Sequence, residues 1–399
     1  MHTLVSFLGR GPYRPDGKRS DYRLARYRFV DSINGREWLS SPSKHFAFSA
    51  YEYYRQLGNP FDKIVLLGTA GSMWDTLAES FGALGDHSFS ETVFRVSELV
   101  DRESVTQSTL NAYGDELSSA MPGRIRLQLI PSAVDMVDQS AILTQITDSV
   151  DTADRLYLDV THGYRHLPML GLAAAAVATS LREATIEDIA YGALDMTREG
   201  VTPVISLKWI LQLFRVLNGV SELTRGQQLR PLINCFPRGA VREKLEDAAY
   251  KLDVMRIDDA SRSVRECLKL LASSLQELPV ELQLVNDALR ARLEQFSNQQ
   301  RTIQGLTRMA ELALDQNEFL RTAIFLAEAL EIAIKSEVPG DVLEDKQLKL
   351  VRNWLAHAGS LRNSTEDKEV RDCVASRSNL RQFFHKHIQR LKREIRESK

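Results

Sequence analysis

In the first half of the chain, short apolar runs alternate with longer stretches whose apolar residues recur at helical spacing. This alternation predicts a mostly parallel sheet covered by helices. The predicted strands are residues 3–8, 63–67, 124–130, 155–160, 186–194 and 204–207, and the predicted helices include residues 43–57 and 167–181. Asn34-Gly35 separates two further runs, residues 21–30 and 36–39, and favours the tight turn of a β-hairpin.

The second half has a different character. From residue 241 onward, apolar residues recur three and four positions apart, and no strand pattern persists. The sequence therefore predicts an α/β domain, residues 1–217, followed by an all-helical domain, residues 241–399. Glycines and prolines mark residues 218–240 as the linker between them: Gly219, Gly226, Pro231, Pro237 and Gly239.

The composition narrows the class of protein. Hydrophobic residues make up 43% of the 399 residues and charged residues 26%, as is typical of a globular protein. No segment approaches the roughly 20 apolar residues of a membrane helix, and the N-terminus lacks the features of a secretory signal. The three cysteines lie far apart, which argues against a disulfide framework or a structural zinc site. We therefore expect a cytoplasmic protein without membrane contacts.

The net charge of −2 gives no sign of a nucleic-acid binder, but the C-terminal segment from Arg377 to Lys399 differs from this average. It carries eight lysines and arginines against two acids, Glu394 and Glu397. The simplest interpretation is a helix end that faces water. The alternative is a surface that contacts RNA.

Three of the predicted strands end in residues suited to ligand binding. These are Gly9-Arg10-Gly11 after the first strand, Gly68 to Ser72 after the second, and Asp159 to Arg165 after the fourth. In open parallel sheets ligands bind beyond the carboxyl ends of the strands. Glycines, hydroxyls, backbone amides and arginine suit an anionic ligand that carries phosphates. The glycine patterns of ordinary NAD and ATP sites are absent from the sequence.

The string Asp159-Val160-Thr161-His162-Gly163 matches a D-x-T-H-G signature, and with it the first 210 residues or so resemble a CRISPR-associated protein family. The sensor domain of that family is the CARF domain (CRISPR-associated Rossmann fold). The resemblance implies a homodimer that binds a cyclic oligoadenylate made by a type III CRISPR complex. We expect cyclic tetra-adenylate as the activator, with hexa-adenylate as the second choice. By position, the residues implied in the pocket are Gly9, Thr69, Ser72, Thr161, His162, Gly163 and Arg165. The choice of Arg165 rests mainly on its charge.

A second motif, R-N-x-x-x-H, lies in a predicted helix of the second half and comprises Arg352, Asn353 and His357. The spacing of arginine and histidine alone is weak evidence, since short motifs recur by chance. The asparagine and the all-helical context make it resemble the HEPN nuclease family, whose helical bundles dimerise. The alternative is that His357 is an ordinary helical residue and Arg352 simply pairs with Glu344 or a neighbour. Glu328 and Glu331 could also pair with Arg352 from an adjacent helix, but solvated positions are the favoured interpretation for both.

The residue types suit RNA cleavage without a metal ion. A histidine can transfer protons near neutral pH while the 2′-hydroxyl of RNA attacks the adjacent phosphorus. The planar cation of Arg352 can stabilise the phosphorane oxygens, and Asn353 can orient a catalytic group. Since Arg352 and His357 point about 140° apart on a helix, a two-fold dimer would bring both pairs into one cleft. The sequence has no H-E-x-x-H motif, so we expect activity in EDTA and no cofactor.

The sequence thus predicts a metal-independent endoribonuclease of type III CRISPR antiviral defence, activated by cyclic oligoadenylate and acting on single-stranded RNA. The alternative is a nucleotide-responsive regulatory or RNA-binding protein without nuclease activity. A third possibility is that the sensor also degrades its own ligand, for which Thr161, His162 and Arg165 are the candidates. The sequence does not separate binding from turnover.

Overall fold

The computed structural model describes residues 1–11, 22–31, 34–81, 90–119, 123–226, 228–298, 301–335, 346–357 and 365–397. The chain divides into two compact units, Met1–Leu211 and Gln212–Lys399. The first contains the sheet, and the second is all-helical in its described residues. The predicted order, an α/β domain followed by a helical one, is confirmed.

The first unit is built on one eight-stranded sheet with the strand order β3-β2-β8-β7-β6-β1-β4-β5. The described strands are β1 (His2–Leu8), β2 (Arg26–Val30), β3 (Glu37–Leu39), β4 (Lys63–Gly68), β5 (Arg124–Leu129), β6 (Arg155–Asp159), β7 (Thr185–Gly192) and β8 (Val201–Ser206). All neighbouring strands are parallel except the pairs β2–β3 and β7–β8. The helices are α1 (Phe46–Gln56), α2 (Leu77–Phe81), α3 (Ser90–Asp101), α4 (Gln107–Ser119), α5 (Met136–Asp148) and α6 (Leu167–Leu181).

The central strand β1 shows why this sheet is buried on both faces. Successive side chains of a strand point to opposite faces. Leu4 and Leu8 join the hydrophobic cluster under α1, α3 and α4. Val5 and Phe7 join the cluster under α5 and α6. Residues 3–8 of the strand are therefore all buried, as expected for a parallel strand covered by helices on both sides.

The parallel crossovers place the carboxyl ends of β1, β4 and β6 side by side. β1 lies between β4 and β6, with Leu8 opposite Gly68 and Ser6 opposite Asp159. The loops that follow these three strands therefore meet at one edge of the sheet, where the sequence predicts a ligand site.

The second unit consists of helices that bury a single hydrophobic cluster. The helix α7 (Lys208–Gly226) begins in the first unit and ends in the second. It is followed by α8 (Arg230–Ile233), α9 (Ala240–Asp253), α10 (Ile257–Ser274), α11 (Val280–Leu284), α12 (Asn286–Ser297), α13 (Ile303–Asp315), α14 (Phe319–Lys335), α15 (Lys346–Ala356), α16 (Thr365–Val374) and α17 (Arg377–Glu397). Their apolar residues recur at helical spacing and face the shared core.

The structure changes the predicted domain boundary. The units divide between Leu211 and Gln212, earlier than the predicted end of the α/β domain at residue 217. Residues 218–240 lie in the second unit, where they include the end of α7 and all of α8. A side chain at Gly219 would approach the Cα of Leu232 to 2.9 Å, so this glycine permits close packing of α7 against α8. Pro231 lies in the first turn of α8, where proline is tolerated.

Candidate functional site

A cleft of about 310 Å³ lies where the loops after β1, β4 and β6 meet. Six of the seven residues predicted for the ligand pocket line it: Gly9, Thr69, Ser72, Thr161, His162 and Gly163. The remaining lining residues are Leu8, Arg10, Gly11, Tyr22, Tyr164 and Leu167. The tertiary fold thus gathers three sequence segments that are more than 50 residues apart.

The loop after β6 is held by the carboxylate of Asp159. Its Oδ2 accepts a hydrogen bond from Ser6 Oγ at 2.5 Å, and its Oδ1 accepts one from the backbone N–H of Thr161 at 2.8 Å. Burial raises the pKa of Asp159 to about 6, although the hydrogen bonds from Ser6 and Thr161 oppose this shift. Thr161 Oγ1 also accepts a hydrogen bond from the backbone N–H of Gly192 at 2.8 Å. Asp159 therefore positions the loop and does not itself line the cleft.

Glycine is required where two of these loops approach each other. Gly163 has φ +97°, in the left-handed region that side chains other than glycine rarely adopt. A Cβ there would also lie 3.2 Å from Leu167 Cδ1 and Phe7 Cβ. A Cβ at Gly9 would lie 3.0 Å from the backbone nitrogen of Gly163. The two glycines bring the backbone of the loop after β1 close to that of the loop after β6 at the cleft.

The loop after β4 is stabilised by its own polar side chains. Ser72 Oγ donates to the carbonyl of Leu8 at 2.8 Å and accepts from the backbone N–H of Thr69 at 2.9 Å. Trp74 Nε1 donates to the carbonyl of Thr69 at 2.9 Å. Both Thr69 and Ser72 are buried. Their positions at the cleft agree with the prediction, and their hydroxyls help to define the shape of the loop.

An aromatic group, comprising Tyr22, His45 and His162, borders the cleft. The ring of Tyr22 stacks on His162 with centroids 4.6 Å apart and an interplanar angle of 20°. Its hydroxyl accepts the backbone N–H of Gly9 at 2.7 Å. His45 lies edge-on to Tyr22, and its Nε2 contacts Thr76 Oγ1 at 2.8 Å. Neither Tyr22 nor His45 was predicted as a site residue, because nothing local in the sequence distinguishes them.

The arginine at the cleft is not the predicted one. Arg165 is exposed and does not line the cleft. Arg10 does line it, and its guanidinium forms a bidentate ion pair with Glu103 at 2.8 and 2.7 Å. Arg10 stands between two glycines at the end of the first strand, and this position was the available sequence signal.

In the helical unit, the R-N-x-x-x-H motif lies at the end of α15. Arg352 is half-buried, and its Nη2 donates to Asn353 Oδ1 at 3.1 Å. His357 directly follows the helix, is exposed, and donates its backbone N–H to the carbonyl of Asn353 at 3.0 Å. Val351 on the same helix is fully buried, which anchors α15 in the core. The motif therefore presents its polar side chains at the surface.

Two acids considered as partners of Arg352 have other partners. Glu328 forms an ion pair with Arg301, and Glu331 forms one with Lys335 at 2.7 Å. Both acids lie on α14, and Glu331 is four residues before Lys335, so these two side chains lie on the same side of the helix. Neither acid forms an ion pair with Arg352, and Glu344, the other acid considered, lies outside the described residues.

Comparison with known proteins assigns the first unit. A family model described as "CRISPR system endoribonuclease Csx1, CARF domain" matches residues 3–195. Residues 3–195 belong to this CARF family. "CRISPR-associated protein MJ1674" of Methanocaldococcus jannaschii is 25% identical over 240 residues, which cover 56% of this chain and 36% of that protein. The chain therefore aligns with about a third of its relative, and the CARF match ends before the helical unit.

Among the residues that the structure describes, no group of three or more His, Cys, Asp or Glu side chains is arranged to hold a metal ion. Within the same residues, no helix combines the length and the apolar character that crossing a membrane requires.

The buried histidines of the CARF domain predict a loss of stability in acid. Burial lowers the pKa of His162 to about 4, and burial together with the neighbouring His162 lowers the pKa of His45 to about 3. Well above pH 6.5, the ordinary pKa of histidine, both rings are neutral whether the protein is folded or unfolded. As the pH falls from 6.5 to 4, the unfolded chain binds protons that the folded domain excludes, so folding becomes less favourable.

We expect the stability difference between the wild type and His162→Gln to depend on pH. Between pH 7 and pH 4, the free energy of unfolding of the wild type should fall by about 3 kcal/mol more than that of the variant. Urea unfolding at both pH values measures this difference. Asp159 also has a shifted pKa, but it is present in both proteins, so its contribution cancels in the comparison. His385→Gln, at an exposed position on α17, is the control. A difference that stays constant with pH would contradict the prediction.

Proposed function

We propose that this protein is an endoribonuclease whose CARF domain binds a cyclic oligoadenylate and thereby activates the helical domain against single-stranded RNA. The observation that carries the proposal is the exposed Arg352 and His357 pair in a chain whose first unit is a CARF domain. The family model is described as the CARF domain of a CRISPR system endoribonuclease, and type III CRISPR antiviral defence is the context that we propose.

The cleft fits part of a cyclic oligoadenylate. Its glycine-rich loops allow a phosphate to approach the backbone, and Arg10 supplies a cation. At about 310 Å³ it lies at the lower end of the roughly 300–1,000 Å³ usual for small-molecule sites. One protomer would therefore hold only part of a ring of four or six nucleotides. A two-fold dimer would supply the rest, with cyclic tetra-adenylate as the first candidate and hexa-adenylate as the second.

Exposed apolar side chains near the same edge of the sheet support self-association. Val134, Met136, Val137 and Met169 are between 73% and 85% exposed. They lie at the beginnings of α5 and α6, which follow β5 and β6. Monomeric proteins rarely leave such apolar groups in contact with water. We infer a homodimer that buries these residues.

The motif on α15 would cut RNA by transesterification. His357 accepts the proton of the 2′-hydroxyl as this oxygen attacks the adjacent phosphorus, and the bond to the 5′-oxygen breaks. The protonated histidine, or its partner across the dimer, then protonates the leaving 5′-oxygen. Arg352 stabilises the negative charge on the phosphorane, and Asn353 holds the guanidinium that it already contacts. The products are a 2′,3′-cyclic phosphate and a 5′-hydroxyl.

Cleavage of a fluorescent single-stranded RNA in EDTA, with and without cyclic tetra- or hexa-adenylate, tests the proposal. We expect cutting that depends on one of the two rings. Binding of a ring without any cutting would leave a nucleotide-responsive regulatory or RNA-binding protein. Disappearance of the cyclic oligoadenylate during incubation with a nuclease-inactive variant would show that the sensor also degrades its ligand.

The C-terminal helix α17 carries two sets of basic residues. In the first set, Arg381 Nη1 donates to the carbonyl of Leu314 at 3.1 Å, and Lys392 pairs with Glu311 at 2.5 Å, so these side chains hold α17 against α13. In the second set, Lys386, Arg393 and Arg396 are exposed and form no ion pair with a described residue. These three cations span about 15 Å of helix, and we propose that they contact RNA phosphates.

We expect the triple variant Lys386→Gln, Arg393→Gln, Arg396→Gln to bind RNA more weakly. Its affinity for RNA should also depend less steeply on salt concentration. Three lost phosphate contacts should reduce the slope of log K against log salt by about 2 for a single strand. Fluorescence anisotropy across a sodium chloride series measures the slope, with His357→Ala in both proteins to prevent cutting. The control removes the same charge from α10 and α12 through Arg262→Gln, Lys269→Gln and Arg292→Gln, all exposed. Equal slopes for the two triple variants would exclude α17 as the RNA surface.

A further inference from the structure

The side chain of Tyr22 lines the cleft of the CARF domain and covers two groups of its wall. Its hydroxyl oxygen is 2.7 Å from the backbone nitrogen of Gly9, and its ring covers one face of His162. Tyr22 also contacts His45 edge-to-face, with ring centroids 5.3 Å apart. The phenol therefore makes both a polar contact and a stacking contact with the walls of the cleft.

The two groups that Tyr22 covers are those a nucleotide would use. The N–H of Gly9 follows a parallel strand at the edge where anionic ligands bind, and an acceptor oxygen 2.7 Å away occupies the place of a phosphate oxygen. The flat ring of His162 can stack against a base. A phenol that combines an acceptor oxygen with an aromatic ring imitates these two features of a nucleotide.

His162 provides a second, independent sign that a ligand group belongs here. Its side chain is only 8% exposed, yet Nε2 has no hydrogen-bond partner among the residues that the structure describes. A buried ring nitrogen without a partner carries a desolvation cost that a ligand atom could relieve. Tyr22 stacks on this ring without satisfying the nitrogen.

We propose that Tyr22 is an internal competitor: it covers the groups of the cleft that would bind a base and a phosphate, and it must move away before the activator binds. This inference rests on the proposed function, since the ligand is the cyclic oligoadenylate. The apparent affinity of such a site equals its intrinsic affinity multiplied by the fraction of molecules in which Tyr22 has moved away. Tyr22 thereby raises the concentration of activator needed to switch the protein on.

The variant Tyr22→Phe tests the competition, because it retains the ring and removes only the hydroxyl. The N–H of Gly9 is then free for a phosphate oxygen. We expect the variant to bind cyclic oligoadenylate about two- to tenfold more tightly than the wild type, as the loss of one competing hydrogen bond implies. Isothermal titration calorimetry with cyclic tetra- and hexa-adenylate measures the change. The control is Tyr250→Phe, which alters an exposed tyrosine on α9 of the helical unit.

A second measurement needs no ligand. Amide hydrogen exchange at Gly9 should be faster in Tyr22→Phe than in the wild type and in Tyr250→Phe, because the N–H has lost its acceptor. Weaker ligand binding by Tyr22→Phe would show that Tyr22 contacts the activator, and unchanged binding would show that it is a bystander. Either result overturns the inference. If even the wild type binds neither cyclic tetra-adenylate nor cyclic hexa-adenylate, the proposed activator is wrong. In that case, unchanged hydrogen exchange at Gly9 would refute the contact with Tyr22 as well.

Discussion

Replacing His357 by alanine is expected to slow RNA cleavage by about 10²- to 10⁴-fold, the usual contribution of a proton-transferring side chain. His357 is exposed directly after α15, so alanine removes the imidazole without opening a cavity in the core. The rate is measured with saturating activator in EDTA, by following a fluorescent RNA under single-turnover conditions. Binding of cyclic oligoadenylate to the CARF domain should remain as in the wild type.

The control for this variant is His385→Ala, which removes an exposed histidine from α17 of the same helical unit. Its cleavage rate should match that of the wild type. Product ends give a second check, since attack by the 2′-hydroxyl leaves a 2′,3′-cyclic phosphate. Full activity of His357→Ala, or products with a 3′-hydroxyl, would refute the assignment of His357.

Replacing Arg352 by alanine is expected to lower the cleavage rate constant by about 10²- to 10³-fold, as found when one electrostatic donor to a developing oxyanion is removed. Arg352 is half-buried and contacts Asn353, so its guanidinium is already held near the helix end. Arg352→Lys should recover part of the rate, because lysine supplies the charge without the planar fork. Arg371→Ala, on α16, is the matched control. Equal rates for Arg352→Ala and the wild type would exclude a catalytic role.

Mixing the two inactive variants tests whether the site is shared across a dimer. A dimer formed from one Arg352→Ala protomer and one His357→Ala protomer retains one arginine and one histidine in a common cleft. We expect the mixture to regain part of the wild-type activity after subunit exchange. If mass measurements demonstrate mixed dimers and no activity returns, Arg352 and His357 do not act in one shared site.

Much of the CARF fold could be predicted because its signals are local. The apolar runs correspond to β1, β4, β5 and β6 within two residues at each end, and the helix predicted at residues 167–181 is α6. Asn34-Gly35 lies between β2 and β3, which pair as antiparallel strands. In each case hydrophobic periodicity or turn chemistry acts within a few residues of the chain. The ends of the strands then located the cleft by a general rule of parallel sheets.

The residues 218–240 show where local signals mislead. Glycine and proline interrupt secondary structure in isolation, so they predicted a linker. In the folded protein Gly219 instead permits the approach of Leu232, and Pro231 occupies the first turn of α8. The same residue types serve close packing and helix initiation, and only the packed structure distinguishes these roles from a break in the chain.

By itself, the sequence determined the order of an α/β and a helical domain, the loops that form the cleft, and the two motifs around His162 and His357. These depend on periodicity and on short strings of residues. Only the tertiary structure decided that Arg10 lines the cleft in place of Arg165, that Tyr22 covers part of its wall, and that some basic residues of α17 are used for packing. Such contacts join side chains from distant segments, so they depend on how the backbone brings those segments together.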